Sequence, residues 1–227
     1  MPCALQALLV EAGAVLAPHH GGMVALSYGS AAGELAGCVN AVGIAARSEL
    51  TKLELSAPAD RLEHVLEALL DRPLLPRGIL LSRAVGWFRI DDRRVVALCD
   101  PVHGERLRGR LEFWTMREPS LALHDRTEAW SAIAVLGRRV DELLCELGVY
   151  GRDGDPRSVP PITQTGGDPG TTWLLCGEDY ALALTPAASA APLWRRITTA
   201  GRRWGICAVG HDALVRYRTL ARTGPHR

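Results

Sequence analysis

Residues 28–55 read YGSAAGELAGCVNAVGIAARSELTKLEL, and this stretch indicates the fold more directly than any other. Its apolar residues follow the i, i+3, i+4, i+7 spacing of an amphipathic helix, at Leu35, Cys38, Val39 and Val42. Ser30 stands where a helix-capping hydroxyl belongs. Residues 52–55 then alternate polar and apolar side chains, as a half-exposed strand does. The stretch predicts a capped helix followed by a strand, with Lys52 facing solvent.

The same order of elements is predicted twice along the chain. In the first copy, the strand at 52–55 precedes an amphipathic helix around 62–69 and a hairpin over 87–98. The second copy lies about 85 residues later, with its strand, helix and hairpin at 132–135, 140–147 and 173–185. Another amphipathic helix follows from Leu193, with Pro192 confined to its first turn. This repetition indicates a duplicated plan of strand, helix, hairpin and helix.

Hairpins joined by helices make antiparallel sheets that helices cover, which is an α+β architecture. We therefore expect one domain over residues 1–227, built from two related halves at about 1–117 and 118–227 with a central cleft between them. Residues 148–170 contain six glycines and four prolines. That composition predicts a long loop, with a lid over the cleft as the alternative to simple mobility.

Composition places the chain among ordinary globular proteins. It has 227 residues, of which 48% are hydrophobic and 22% charged, and a net charge of +1. A balance so near zero argues against a nucleic-acid partner, which needs clustered cations. No apolar stretch is long enough to predict a membrane span, and the N-terminal run at 4–17 lacks a basic leader. We expect a cytoplasmic protein.

The cysteines and histidines carry no metal-binding spacing. The six cysteines are scattered without a C-x-x-C pair, at Cys3, Cys38, Cys99, Cys145, Cys176 and Cys207. Each lies in an apolar run, which favours small buried thiols in a reducing compartment. The sequence therefore predicts neither a metal site nor a disulfide framework.

Short motifs occur along most of the chain, from YGS at 28–30 to Arg218. The others are Glu34, VG at 42–43, RS at 47–48, KLEL at 52–55, HDRT at 124–127, AIAVLG at 132–137, GED at 177–179, LW at 193–194 and VGHDAL at 209–214. In their order and spacing they resemble the folate-binding domain of the glycine cleavage T protein (aminomethyltransferase) family. The likeness does not extend to that family's additional C-terminal barrel. The small gamma subunit of heterotetrameric sarcosine oxidases is a similar domain without a barrel.

The resemblance implies a tetrahydrofolate cleft, in which the family moves a one-carbon unit from an aminomethyl donor to N5 of the cofactor. Such a cleft needs an apolar slot, a carboxylate for the amino-pyrimidine edge and a cation for the glutamate tail. Two of the family's carboxylates fall on Leu182 and Leu220, and residues 82–87 (SRAVGW) stand where its aspartate motif belongs. The resemblance thus implies a degenerate active site.

Four candidate site residues follow from the motifs and the lost carboxylates. Arg218 falls on the family's closing arginine, with a solvated helix position as the alternative. Tyr28 and Glu178 belong to matching motifs. Arg83 stands near the place of the lost aspartate, where it would favour an anionic ligand; an exposed arginine before a strand is the alternative.

Three further candidates rest on residue type. His20 follows another histidine on a glycine-rich approach and is the candidate acid or base, with a loop histidine of no chemical role as the alternative. Trp87 and Trp173 head equivalent strands and are candidates for stacking on a ligand ring, with core packing as the alternative. Asp125 is expected to accept hydrogen bonds within a turn.

Three functions agree with these residues. The first is a tetrahydrofolate-linked one-carbon transferase of the aminomethyl type with a degenerate site. The second is a non-catalytic accessory subunit that binds a larger oxidoreductase subunit in a complex like sarcosine oxidase. The third is an enzyme repurposed for another small molecule in the same cleft, since function resides in the site and not in the fold.

Overall fold

The computed structural model describes residues 4–20, 22–82, 84–150, 159–164 and 170–223. Seven α-helices occur in these ranges: α1 (Ala4–Glu11), α2 (Ala31–Asn40), α3 (Ala59–Leu69), α4 (Gly104–Arg117), α5 (Val140–Glu146), α6 (Ala190–Gly201) and α7 (His211–Thr223). The first seven strands are β1 (Val15–His19), β2 (Gly22–Ser27), β3 (Gly43–Ala46), β4 (Thr51–Ser56), β5 (Ile79–Leu81), β6 (Val85–Asp91) and β7 (Arg94–Cys99). The remaining strands are β8 (Ala122–Asp125), β9 (Trp130–Leu136), β10 (Ile162–Gln164), β11 (Thr172–Leu175), β12 (Tyr180–Pro186) and β13 (Cys207–Ala208).

Local sequence signals account for several of these elements. The Ser30 hydroxyl accepts a hydrogen bond from the backbone N–H of Gly33 and caps α2, as predicted. Pro192 is the third residue of α6, where its missing N–H would have had no helical partner. Asp125 accepts a 2.8 Å bond from the backbone N–H of Thr127, which confirms its predicted role in a turn.

Two large sheets dominate the structure. The five-stranded sheet has the order β5-β6-β7-β4-β8, and the six-stranded sheet has the order β10-β11-β12-β9-β3-β13. Their strands pair antiparallel except β13, which runs parallel to β3. β1 and β2 form a separate hairpin. The predicted α+β class with antiparallel sheets and flanking helices is confirmed.

Helices and sheets form four layers, because each strand directs alternate side chains to opposite faces. Helices α3 and α4 pack their apolar faces on the five-stranded sheet, through residues such as Leu62 and Leu111. α1, α5 and α6 cover the outer face of the six-stranded sheet in the same way. A third cluster lies between the two sheets, where Phe88 and Leu98 meet Leu182. α2 and α7 contribute Cys38 and Tyr217 to that inner layer.

Each sheet contains one strand from the other predicted half of the chain. β3 precedes β4 directly in sequence, yet it pairs with β9 in the six-stranded sheet. β8 precedes β9, yet it pairs with β4 in the five-stranded sheet. This exchange of strands connects the two sheets, since each sheet contains a strand from the other half of the chain. The boundary near residue 117 between two duplicated halves stays a prediction.

Two sequence-based expectations are corrected. Lys52 was expected to face solvent, but its side chain is fully buried and its ammonium group donates to three backbone carbonyl groups. Strand β10 lies inside the segment 148–170 that was predicted to be loop, because Ile162 is buried and pairs with Leu174. The rest of the predicted loop at 151–158 and 165–169 lies outside the described residues.

Candidate functional site

A cavity of about 340 Å³ opens between the two sheets beside the inner apolar layer. Its walls come from β5–β7 of one sheet, from β12 and the turn before it in the other, from the segment between β3 and β4, and from α7. The lining residues are Arg47, Leu50, Leu81, Ser82, Ala84, Val85, Gly86, Phe88, Leu98, Cys99, Asp100, Cys176, Asp179, Tyr180, Leu182, Tyr217 and Arg218. Its size lies in the range of small-molecule sites, and its predominantly apolar lining with a few polar groups is typical of them.

Arg47 anchors one side of the cavity through two carboxylates. Its Nε donates to Glu49 at 2.5 Å and its terminal nitrogen donates to Asp100 at 2.9 Å. Burial of the guanidinium opposes its charge, but the carboxylates of Glu49 and Asp100 outweigh that cost and raise the pKa of Arg47. The side chain of Asp100 remains 51% exposed. Arg47 is therefore a fixed, compensated cation, whereas Asp100 can still accept further hydrogen bonds.

The turn before β12 is tied to α7 at the opposite side of the cavity. The hydroxyl of Tyr217 donates a 2.7 Å hydrogen bond to Asp179. Burial, then the bond to Asp179, raises the pKa of Tyr217 above its ordinary value, so the phenol stays protonated. This bond fixes α7 against the six-stranded sheet and directs a carboxylate into the cavity wall.

Arg218 brings a cation without a carboxylate partner to the cavity. Its guanidinium carbon lies 5.9 Å from the ring centroid of Tyr180, and no ion pair within the described ranges involves it. Arg216 and Thr219 beside it on α7 do not line the cavity. Its side chain is exposed, as the alternative of a solvated helix position requires, but it also lines the cavity and can reach a ligand there.

Two thiols line the cavity without being activated for chemistry. Burial raises the pKa of Cys99 to about 11. Burial also raises the pKa of Cys176 to about 12, although the nearby Arg218 opposes that shift. Because the thiolate is the nucleophile, both cysteines are unreactive thiols at neutral pH and only line the cavity.

The two tryptophans predicted to stack on a ligand do not line the cavity, and this corrects the sequence-based expectation. Trp87 is 3% exposed and packs among the residues under α3 and α4. Trp173 is fully buried against the layer of α5 and α6. Strand alternation explains this, because their neighbours Phe88 and Leu174 take the inner face. Core packing, the alternative role, is the one the structure shows.

The remaining predicted residues also lie away from the cavity, apart from Arg218. His20 is exposed in the turn between β1 and β2 at a positive φ of 45°, with its ring 4.5 Å from that of His19. Tyr28 packs against the outer core, and its buried hydroxyl has no hydrogen-bond partner within the described ranges. Glu178 is exposed in the β11–β12 turn. Arg83 lies outside the described residues.

Sequence reasoning missed most of the polar lining, namely Arg47, Asp100, Asp179, Tyr180 and Tyr217. Arg47 and Asp179 belonged to recognised motifs, and that was the available signal. Leu182 lines the cavity at the place where the resemblance puts a pterin-pairing carboxylate. The cavity wall is therefore apolar at this position.

None of the helices within the described ranges is long and apolar enough to cross a membrane. No group of three or more His, Cys, Asp or Glu side chains there is arranged to hold a metal ion.

Comparison with known proteins gives matches in structure and none in sequence. No protein-family model and no curated protein matches the chain. The crystal structure of glycine cleavage system aminomethyltransferase T from Bartonella henselae superposes with a TM-score of 0.76 at 17% identity, over 98% of this chain and 63% of that one. This chain thus spans less than two thirds of that enzyme.

A second solved structure matches over a different share of its length. Heterotetrameric sarcosine oxidase from Corynebacterium sp. U-96, in complex with pyrrole 2-carboxylate, contains a chain that superposes with a TM-score of 0.58 at 16% identity. The match covers 79% of this chain and 94% of that one. Sequence identities this low show the fold alone. The four-layered arrangement of sheets and helices around the cavity is therefore the fold of the glycine cleavage T protein.

Proposed function

We propose that the chain binds a folate-type ligand in the cavity between its sheets and acts as a tetrahydrofolate-linked, one-carbon transferase-like protein. One observation carries the proposal: the cavity joins an apolar floor to Arg218, a guanidinium without a carboxylate partner among the described residues. A flat ring system ending in an acidic tail has the complementary chemistry.

Tetrahydrofolate would be held by Arg218, at the place of the family's closing arginine, and otherwise by residues that differ from those of the family. Leu50, Phe88 and Leu182 supply the apolar slot for a ring. Asp100 and Asp179 are carboxylates on its wall, and each has capacity to accept from the amino groups of a pyrimidine. Arg218 would hold the glutamate tail. When bound, tetrahydrofolate supplies the N5 atom that accepts a one-carbon unit.

The side chains around the slot would bind and orient the ligand. The Arg47–Asp100 and Tyr217–Asp179 bonds fix both carboxylates before a ligand arrives, which lowers the entropy lost on binding. Tyr217 stays protonated, and Cys99 and Cys176 stay as thiols. Proton transfer would therefore depend on Asp100 or on groups of the ligand, because the exposed His20 does not line the cavity.

Isothermal titration calorimetry with tetrahydrofolate tests the binding. The wild-type chain is compared with Arg218→Ala and with Arg216→Ala, which removes an exposed arginine of the same helix. We expect micromolar binding, weakened about tenfold or more by Arg218→Ala because a charge-assisted bond is lost. Arg216→Ala should bind like wild type. The absence of binding at about 1 mM ligand, or equal losses in both variants, would refute the proposal.

Catalysis is tested separately from binding. The protein is incubated with tetrahydrofolate and a panel of aminomethyl and N-methyl amine donors, and the folate products are separated by chromatography. Formation of a one-carbon folate above the protein-free rate, and its loss in Arg218→Ala, would support a transferase. Tight folate binding with no product from any donor would restrict the proposal to a binding role.

A second function has its own support, namely that of an accessory subunit in a larger oxidoreductase complex. The match to the sarcosine oxidase chain covers 94% of that chain, so the two are domains of similar extent. The outer face of α4 also leaves Phe113 43% and Met116 76% exposed, which is the kind of apolar surface that partner subunits cover.

Co-expression with the chains encoded beside this one tests the accessory role. A stoichiometric complex in size-exclusion chromatography with light scattering would support it, and Met116→Glu should dissociate that complex without changing folate binding. Because Met116 does not line the cavity, the two functions are separable. A chain that remains monomeric with every such partner would exclude the accessory role.

A further inference from the structure

Tyr180 presents an uncommitted hydroxyl to the cavity. It is the first residue of β12, and its side chain lines the cavity wall. No hydrogen bond from the described residues reaches its hydroxyl. The hydroxyl groups of Tyr150 and Tyr217 differ, since each donates to an aspartate, Asp141 and Asp179 respectively. Tyr180 is half-buried, and a hydroxyl that lines a cavity without a protein partner is available to a ligand.

Two guanidinium groups act on this phenol. Arg47 and Arg218 both favour negative charge at Tyr180, although burial is the larger effect and raises its pKa. Tyr180 therefore remains a neutral donor at physiological pH. Cys176 and Glu49 act against the arginines, and Glu49 is already bound to Arg47.

Each carboxylate of the cavity wall already accepts a hydrogen bond, whereas two donors have no acceptor among the described residues. Asp179 accepts from Tyr217 and Asp100 accepts from Arg47. Within the described part of the chain, the Tyr180 hydroxyl and the Arg218 guanidinium remain without an acceptor. Their side chains lie close, with the guanidinium carbon 5.9 Å from the ring centroid. An acceptor with negative charge would satisfy both.

The surface next to these donors is apolar. Leu182 lies two residues after Tyr180 on β12, so both side chains point to the same face of the sheet. Leu50 and Leu98 complete the wall there. A ligand whose acidic group binds Tyr180 and Arg218 would therefore have its remaining part in contact with aliphatic side chains.

We propose that Tyr180 and Arg218 form a carboxylate subsite, and that the cavity selects a carboxylic acid carried on an apolar or aromatic body. The inference rests on the proposed function in that the cavity binds a ligand, and it names the ligand's chemical class. The Tyr180 hydroxyl donates to one carboxylate oxygen, and the Arg218 guanidinium donates to the carboxylate and neutralises its charge. A folate has such a carboxylate in its glutamate tail, and a smaller aromatic acid has it as its only acidic group.

The test compares acids with their uncharged amides by calorimetry. The probes are tetrahydrofolate, 4-aminobenzoyl-L-glutamate, its diamide, benzoate and benzamide. The variants are Tyr180→Phe, Arg218→Gln and the control Tyr150→Phe, which removes a hydroxyl that faces Asp141 and not the cavity. Thermal unfolding of each variant verifies that it is folded.

We expect Tyr180→Phe to weaken binding of the acids about three- to tenfold, which is the effect of one lost hydrogen bond. It should leave the weaker binding of the amides unchanged, and Tyr150→Phe should change neither. In a double-mutant cycle on an acid, Tyr180→Phe and Arg218→Gln should be non-additive, because both groups hold the same carboxylate.

The outcomes separate this inference from the proposed function. If tetrahydrofolate binds and Tyr180→Phe has no effect, the subsite is refuted and the folate proposal stands. If tetrahydrofolate does not bind, but the smaller acids bind and depend on Tyr180, the folate proposal falls and the subsite stands. Equal effects of Tyr180→Phe on an acid and its amide would also overturn the subsite.

Discussion

The ammonium group of Lys52 donates a 3.1 Å hydrogen bond to the carbonyl oxygen of Thr127, although the two residues lie 75 positions apart. The same group donates to the carbonyl oxygens of Ser48 and Leu50, at 2.8 Å and 2.7 Å. The backbone N–H of Lys52 in turn donates to the hydroxyl of Thr127 at 3.0 Å. These bonds join β4 to the turn between β8 and β9, where the two sheets exchange strands.

Replacing Lys52 should destabilise the fold strongly. Lys52→Met keeps the volume of the side chain but leaves three carbonyl groups without their donor in a buried site. We expect a loss of about 2–4 kcal/mol in the free energy of unfolding. Three unsatisfied carbonyl groups alone would cost more, but the cost of burying the ammonium charge disappears at the same time. Urea denaturation measures the change. Arg72→Met, at an exposed position, should change stability by less than about 0.5 kcal/mol; similar values for both variants would contradict this role of Lys52.

Gly210 should not tolerate a side chain. A Cβ atom there would lie 2.3 Å from the carbonyl oxygen of Leu26 and 2.5 Å from the Cα of Ser27, both in or beside β2. Because backbone atoms must shift, Gly210→Ala should cost at least about 2 kcal/mol of unfolding free energy. Gly109 lies in α4 with open space around it, so Gly109→Ala should instead stabilise the protein by about 0.5–1 kcal/mol. Chemical denaturation of the two variants should give changes of opposite sign.

Acidification should destabilise the protein through His211. Burial first, and then the neighbouring His19 and Arg47, lower the pKa of His211 in the folded state; the two imidazole rings are 4.4 Å apart. The unfolded chain therefore takes up this proton more readily. The contribution of neutral His211 to the free energy of unfolding is fully present above the unfolded pKa of about 6.5. It is lost as the pH falls from there to the lower pKa of the folded state.

The variant His211→Asn isolates this contribution. Wild type should lose more unfolding free energy than the variant between pH 7.5 and pH 5.5, as measured by urea denaturation at each pH. Either protein can be the more stable one at pH 7.5, since only the change of unfolding free energy with pH reports the titration of His211. Parallel pH profiles for the two proteins would show that His211 does not titrate differently on folding.

Thiol labelling should separate Cys145 from the cavity cysteines. Cys145 is exposed, whereas burial raises the pKa values of Cys99 and Cys176 to about 11 and about 12. With iodoacetamide at pH 8, Cys145 should be alkylated first, because little thiolate is present at the other two sites. Peptide mass spectrometry at successive times gives the rates. Rapid alkylation of Cys176 in the folded protein would contradict its place in the cavity wall.

Local signals in the sequence were enough for part of the elements of the fold. The Ser30 cap, the helix α3, the hairpin of β6 and β7, and Pro192 in the first turn of α6 were all predicted, and all are present. These features depend on interactions within a few residues of each other, which periodicity and capping residues report directly. The resemblance of scattered motifs then indicated the fold to which these elements belong.

The contents of the cavity could not be predicted in the same way. Arg47, Asp100, Tyr180 and Tyr217 come from four separate segments, and no local pattern shows that they meet. The face of each strand was also undetermined, because a strand buried on both sides shows no polar side, and a shift of one residue exchanges Trp87 for Phe88.

By itself, the sequence determined several of the helices and strands and which fold can accommodate them, since hydrophobic period, caps and turns act over short distances. The tertiary structure alone decided that Lys52 is buried, that β3 and β8 exchange sheets, and that Arg218 meets Tyr180. Those relationships depend on which partners the packed sheets supply. A buried ammonium group or an uncommitted hydroxyl is defined by its neighbours in space, and the chain order does not list them.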